Sequence, residues 1–161
     1  MLKGENIIVF SSADWRVSPT SPQHISSNFA KENKVLFIET FGSRAPALEP
    51  VHIERVGRRL RNWLRGVRRL KVGEGEIYIY SPITLLVNFR PFLFINKKIF
   101  LYIMRRLLKE LNFKNPILYF YLPPPSGIIG KLGEKAVIYH CVDEWLTFHG
   151  GKNKIFLDAE K

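Results

Sequence analysis

The chain has 161 residues, 46% hydrophobic and 13% aromatic, which suits one domain with a buried core and argues against disorder. Its net charge of +11 directs it toward something anionic: a lipid surface, nucleic acid or phosphorylated metabolites. The single cysteine, Cys141, excludes a disulfide framework or a cysteine-based zinc site within the chain and fits a reducing, cytosolic compartment.

Taken in order, an apolar run from Ile7 to Phe10 stops at Ser11-Ser12 and is too short for a signal peptide or anchor. A polar loop with Asp14 and Trp15 follows, then a helix that Ser21-Pro22 starts, then a second apolar run from Val35 to Ile38. Strand, loop, helix and strand at this spacing predict a βαβ crossover. The loop after the first strand of such a unit lies at the carboxyl edge of a parallel sheet, where open α/β sheets bind ligands. Function is therefore expected at Asp14 to His24.

Thr40 to Pro50 reads as a loop. In the basic stretch that follows, Val56, Leu60, Trp63, Leu64, Val67 and Leu70 recur at helical spacing. Arg58, Arg59, Arg61, Arg65, Arg68 and Arg69 fill mostly the other positions, so an amphipathic helix is predicted from Arg58 to Lys71. Its basic face has three readings: a solvated surface, a nucleic-acid contact, or an anionic-membrane contact through Arg58, Arg61, Arg65, Arg68 and Arg69. Gly73 and Gly75 break the helix, and Glu76 to Tyr80 is a short strand.

Ile83 to Ile95 is apolar but irregular, with Pro91 as a breaker, and a helix is predicted from about Asn96 to Leu111. No uncharged span of about 18 residues exists, which disfavours a transmembrane helix. Pro116 to Leu122 reads as a strand covered on both faces. A short helix from Gly127 to Leu132 and a buried strand from Ala136 to Val142 follow, with Asp143 and Glu144 at that strand's carboxyl end. The order predicts one α/β domain, a doubly wound, mostly parallel sheet, without internal repeats.

No GxGxxG follows the first strand, and no P-loop, HExxH, paired-cysteine cluster or GxSxG elbow occurs, so no cofactor or metal is predicted. The remaining candidates are positional. Asp14 and Trp15 follow the first strand, Gln23 and His24 open the first helix, and Asp143 and Glu144 follow the last strand. Parallel strands would bring all of these to one rim, where His24 suits a base or hydrogen-bond acceptor. Each also has an ordinary role: Asp14 as a turn former, His24 as a cap or surface residue, Gln23 as a surface or loop contact, Asp143 as an N-cap. Trp15 and Trp145 either cover the sheet's end or stack on a ligand; His140 reads as a satisfied core histidine and His149 as a loop residue.

The pieces DW, PTSPQHIS, NKVLFIE, ILYFYLP and VIYHCVDEW, in this order from Ile7 to about Phe148, resemble the N-terminal half of bacterial cell-envelope glycosyltransferases. These are of the GT-B, group 1 type, related to teichuronic-acid and exopolysaccharide enzymes. The resemblance implies a Rossmann-like acceptor-side domain over 1–161, incomplete at its C-terminal edge. In the family the nucleotide-sugar donor is bound by a C-terminal domain, absent from this chain, so the chain alone is expected to be inactive.

By position, Asp14 and His24 would be catalytic, and Trp15, Gln23, Asp143 and Glu144 would contact substrate. The family has an acidic residue where this chain carries His140. The acceptor would be an envelope glycan or a lipid-linked saccharide, with the protein peripheral at the inner face of the cytoplasmic membrane. The missing next strand would leave Ala136 to Val142 as an exposed apolar edge. Two alternatives carry different chemistry: a non-catalytic membrane- or partner-binding module of the same fold, and a basic nucleic-acid-binding protein. The second is disfavoured because no RRM, KH or helix-turn-helix signature occurs.

Overall fold

The computed structural model describes residues 2–16, 20–39, 61, 63, 65–82, 90–124 and 127–141, with the backbone alone for 90–94 and 96. Among the described residues these elements follow one another: β1 (Asn6–Phe10), α1 (Ser21–Phe29), β2 (Lys34–Ile38), β3 (Arg68–Val72), β4 (Gly75–Tyr80), α2 (Arg90–Glu110), β5 (Ile117–Phe120) and β6 (Ala136–Tyr139). The strands form one sheet in the order β3-β4-β2-β1-β5-β6. β1 pairs in parallel with β2 and β5; β4 extends the sheet beyond β2 and β6 beyond β5, both in parallel. β3 runs antiparallel to β4. The chain thus builds outward from β1 to β2 and β4, then crosses back to β5 on the other side.

Side chains alternate across a strand, and both faces of this sheet are apolar. Ile8, Phe10, Leu36, Ile38, Leu118 and Phe120 point to one face and pack with Met104 and Leu108 of α2. Ile7, Val9, Val35, Phe37, Ile77 and Ile79 point to the other, beneath Ile25 and Phe29 of α1. Phe10 and Phe120 lie stacked, their centroids 4.3 Å apart and their planes 7° from parallel. The result is an α/β fold with a mostly parallel sheet and helices on both faces.

Several expectations are corrected. The basic helix stops well short of Lys71: Arg65 N bonds Arg61 O at 3.2 Å, Gly66 N bonds Trp63 O at 2.9 Å, and Gly66 takes φ +66. A glycine in this left-handed conformation ends a helix without the penalty a side chain would carry. Arg68 and Arg69 therefore lie on β3, where the backbone satisfies its hydrogen bonds against β4. Gly73, at φ +58, is the first of the two turn residues, where a tight hairpin turn favours glycine.

α2 begins at Arg90, earlier than expected, and Pro91 sits in its first turn, where a missing N–H removes no helical hydrogen bond. Pro91 starts the helix rather than breaking it. Residues 127–132 form turns, with Gly127 and Gly130 at φ +76 and +77, instead of a helix. β6 is shorter than expected, and all four of its residues are exposed, so it is not a buried strand. Among the described residues β6 is the edge strand, and Val137, Ile138 and Tyr139 are each 37% exposed; Val142 lies outside the described residues. No helix among the described residues is long and apolar enough to cross a membrane.

Candidate functional site at the carboxyl rim

β1 leaves the sheet at Phe10, and Ser11 turns the chain. Its N–H bonds Ile38 O at 3.0 Å, while its hydroxyl donates to Ala13 O at 2.9 Å and accepts from Ala13 N at 3.0 Å. The loop then meets the start of α1. Thr20 is the N-cap residue, in extended conformation, and Pro22 lies in the first turn. Gln23 Oε1 accepts from Thr20 N at 3.0 Å and from Thr20 Oγ1 at 2.6 Å; its Nε2 donates to Asp14 O at 3.1 Å. Gln23 is 5% exposed, so it is a buried brace between loop and helix: the loop contact is found, and the surface position is not. The next residue, His24, is exposed, and Asp14 is half-buried.

Trp15 takes the covering role. Its ring stands edge-on to Phe37, 4.9 Å between centroids at 85°, and the Trp15 backbone N–H donates to Glu39 Oε1 at 2.9 Å. Glu39, the residue after β2, is 3% exposed. Its N–H bonds Tyr80 O at 2.9 Å, and its Oε2 accepts from Arg68 Nη2 at 2.6 Å and from the Ser81 hydroxyl. One carboxylate thus ties together the rim ends of β2, β3 and β4 and the β1–α1 loop. Arg68 is committed to this pair, which corrects its assignment to an anion-contact face.

On the other side of β1, Tyr121 N bonds Phe10 O at 3.0 Å, extending the pairing past the end of β5. Tyr119 and Tyr121 lie 5.3 Å apart by ring centroids, and the His140 ring is 5.1 Å from Tyr121. His140 Nδ1 lies 2.8 Å from Tyr119 Oη, and the Tyr121 hydroxyl reaches Ser21 O at 3.5 Å. Burial raises the pKa of both tyrosine hydroxyls above the ordinary tyrosine value. His140 is half-buried and stands just beyond β6, so it is a rim residue and not a core histidine within a strand.

The structure therefore brings Asp14, Trp15, Gln23 and His24 into one loop-and-helix unit. Arg58, Asp143, Glu144, Trp145 and His149 lie outside the described residues. β6 is parallel to β5 and β1, so its carboxyl end points to the same rim as Phe10. Arg61 and Arg65 are exposed before Gly66; Arg69 is exposed on β3, its guanidinium carbon 5.2 Å from the Tyr78 ring and its Nε 3.8 Å from Glu76.

Sequence reasoning missed Glu39, Ser81, Tyr119 and Tyr121. The available signal for Glu39 was a carboxylate directly closing an apolar strand; the tyrosines were hidden inside a run read as uniform core. Among the described residues no group of three His, Cys, Asp or Glu is placed to hold a metal ion. Chemically the rim offers an imidazole and a carboxylate beside the divergence of β1 and β5, suited to hydrogen bonding and proton transfer with a polar ligand. Comparison with protein-family models, curated proteins and solved structures finds no match for this chain.

Proposed function

We propose that this chain is the acceptor-side, Rossmann-like domain of a GT-B glycosyltransferase that moves a sugar from a nucleotide-sugar to an envelope glycan or lipid-linked acceptor. In this reading a separate unit binds the donor, and the rim at β1 and β5 holds the acceptor. The acceptor hydroxyl attacks the anomeric carbon, the bond to the nucleoside diphosphate breaks, and His24 accepts the hydroxyl proton. Asp14 orients the acceptor; Asp143 and Glu144, which lie outside the described residues, are assigned to substrate contact by the resemblance alone.

The observation that carries the reading is the Gln23 brace. It fixes the Asp14 loop to the first turn of α1, with His24 exposed beside it, at the sheet position where α/β folds bind ligands. The order of sequence pieces that resembles envelope glycosyltransferases supports the choice of substrate class.

Saturation-transfer NMR with soluble envelope oligosaccharides tests acceptor binding without needing the donor. Signal transfer from the protein to one oligosaccharide class, lost in His24→Ala and weakened in Asp14→Asn, is the expected result. Transfer to none of them, or transfer unchanged in both variants, would count against the reading.

A further inference from the structure

α2 already buries one face against the sheet, through Met104 and Leu108 with Phe100, Leu101 and Leu107 around them. Its opposite face is not uniformly polar. Ile95 is 46% exposed, Ile99 44% and Tyr102 69%. At 100° per residue these positions, four and then three apart, fall on one line along the helix. Lys98, Arg105 and Lys109 are exposed along one flank of that line, and Arg106 lies on it, paired with Glu110 at 2.7 Å. Over Arg90–Glu110 the sequence carries six basic residues and one acidic residue, Glu110, at the far end.

A single exposed isoleucine is ordinary on a protein surface. A continuous apolar ridge with tyrosine on it and cations beside it is the pattern of a helix lying in the bilayer interface. We infer that the outer face of α2 is a docking surface for an anionic lipid bilayer, with Ile95, Ile99 and Tyr102 entering the acyl boundary and Lys98, Arg105 and Lys109 meeting the headgroups. Charge complementarity selects the lipid surface over a neutral partner. The ridge bears no carboxylate until Glu110, and the whole chain carries +11.

The surface differs from the predicted one. The stretch expected to form a basic helix is interrupted at Gly66 and continues as β3, whereas α2 supplies both the apolar ridge and the cations on one continuous helix. The inference stands on α2 alone and does not rest on glycosyl transfer. If both hold, a lipid-linked acceptor reaches the site from the same bilayer, since the ring of Phe100 on α2 lies 6.4 Å from that of Phe10 at the carboxyl end of β1.

The test is sedimentation of the full chain with vesicles of phosphatidylcholine alone or mixed with phosphatidylglycerol. Binding is expected to the mixed vesicles, to weaken with salt, and to drop about fivefold for each of Lys98→Gln and Lys109→Gln. Ile99→Gln with Tyr102→Gln changes no charge and is expected to lower binding at least about tenfold through lost apolar burial. Lys31→Gln, exposed just past α1 on the other face of the sheet, is expected to leave binding near the wild-type level. A Tyr102→Trp chain gives a second readout: extra fluorescence over wild type, quenched by brominated acyl chains. Equal binding by the wild type and the α2 variants, absence of quenching, or lipid-free self-association abolished by Tyr102→Gln would each overturn the inference.

Discussion

Arg68→Met is the sharpest test of how the rim is held. The Glu39 side chain is 3% exposed and that of Arg68 18%, with Nη2 and Oε2 2.6 Å apart. The substitution keeps an aliphatic stem but leaves a buried carboxylate whose partners among the described residues are neutral donors, Trp15 N and the Ser81 hydroxyl. Breaking a buried ion pair from one side costs about 3–5 kcal/mol. The lower end applies, because Arg68 keeps some contact with water and its buried Nε has no hydrogen-bond partner among the described residues, so the native pair is not fully compensated.

A loss of about 3 kcal/mol is therefore expected. For a chain of this length that lowers Tm by about 6–12 °C. Urea unfolding followed by circular dichroism, with an unchanged m value, measures it. Adding Glu39→Gln removes the stranded charge, so the double variant should be clearly more stable than the sum of the two single losses predicts. A single-variant loss below about 1 kcal/mol, or losses that simply add, would refute the idea that this pair holds the rim together.

Two glycines separate close packing from backbone conformation. A Cβ at Gly75 would stand 2.3 Å from Ala30 O, so Gly75→Ala must push β4 away from the end of α1 and should lose about 3 kcal/mol, the upper end of overpacking. Gly66, at φ +66, has open space where its Cβ would go, so Gly66→Ala should lose only about 1 kcal/mol of left-handed strain; the reverse ranking in urea unfolding would contradict both arguments. Burial raises the pKa of Tyr80, Tyr119 and Tyr121, so the stability they contribute is full below the unfolded tyrosine value of about 10 and is lost as pH rises through their folded values. Tyrosinate absorbance should show these groups titrating late, and Tyr121→Phe should flatten the alkaline loss of stability; a single ordinary step for all six tyrosines would refute the burial argument.

The places where sequence reading failed share a cause. Val56 to Leu70 has a true helical period, but Gly66 inside it took a left-handed conformation, and beyond it Arg68–Val72 found a backbone partner in β4. Periodicity is a local average and does not register one glycine that ends the pattern. Pro91 was misjudged for a similar reason: proline breaks a helix interior but is neutral in a first turn, and only the position of the helix start distinguishes the two. Gln23 looked like a surface side chain because its partners are a cap residue beside it and the Asp14 carbonyl in the preceding loop.

The apolar runs at Ile7–Phe10 and Val35–Ile38 by themselves determined a buried parallel pair, since continuous hydrophobicity on both faces has no other stable placement in a mixed α/β chain. Ser21-Pro22 likewise determined where α1 begins. Which strands became neighbours was decided only in three dimensions, and with it the convergence of Trp15, Glu39, Arg68 and Ser81 and of Tyr119, Tyr121 and His140. Hydrogen bonds and ion pairs between residues far apart in the chain leave no local pattern, because their energy arises only after the sheet has brought the partners together.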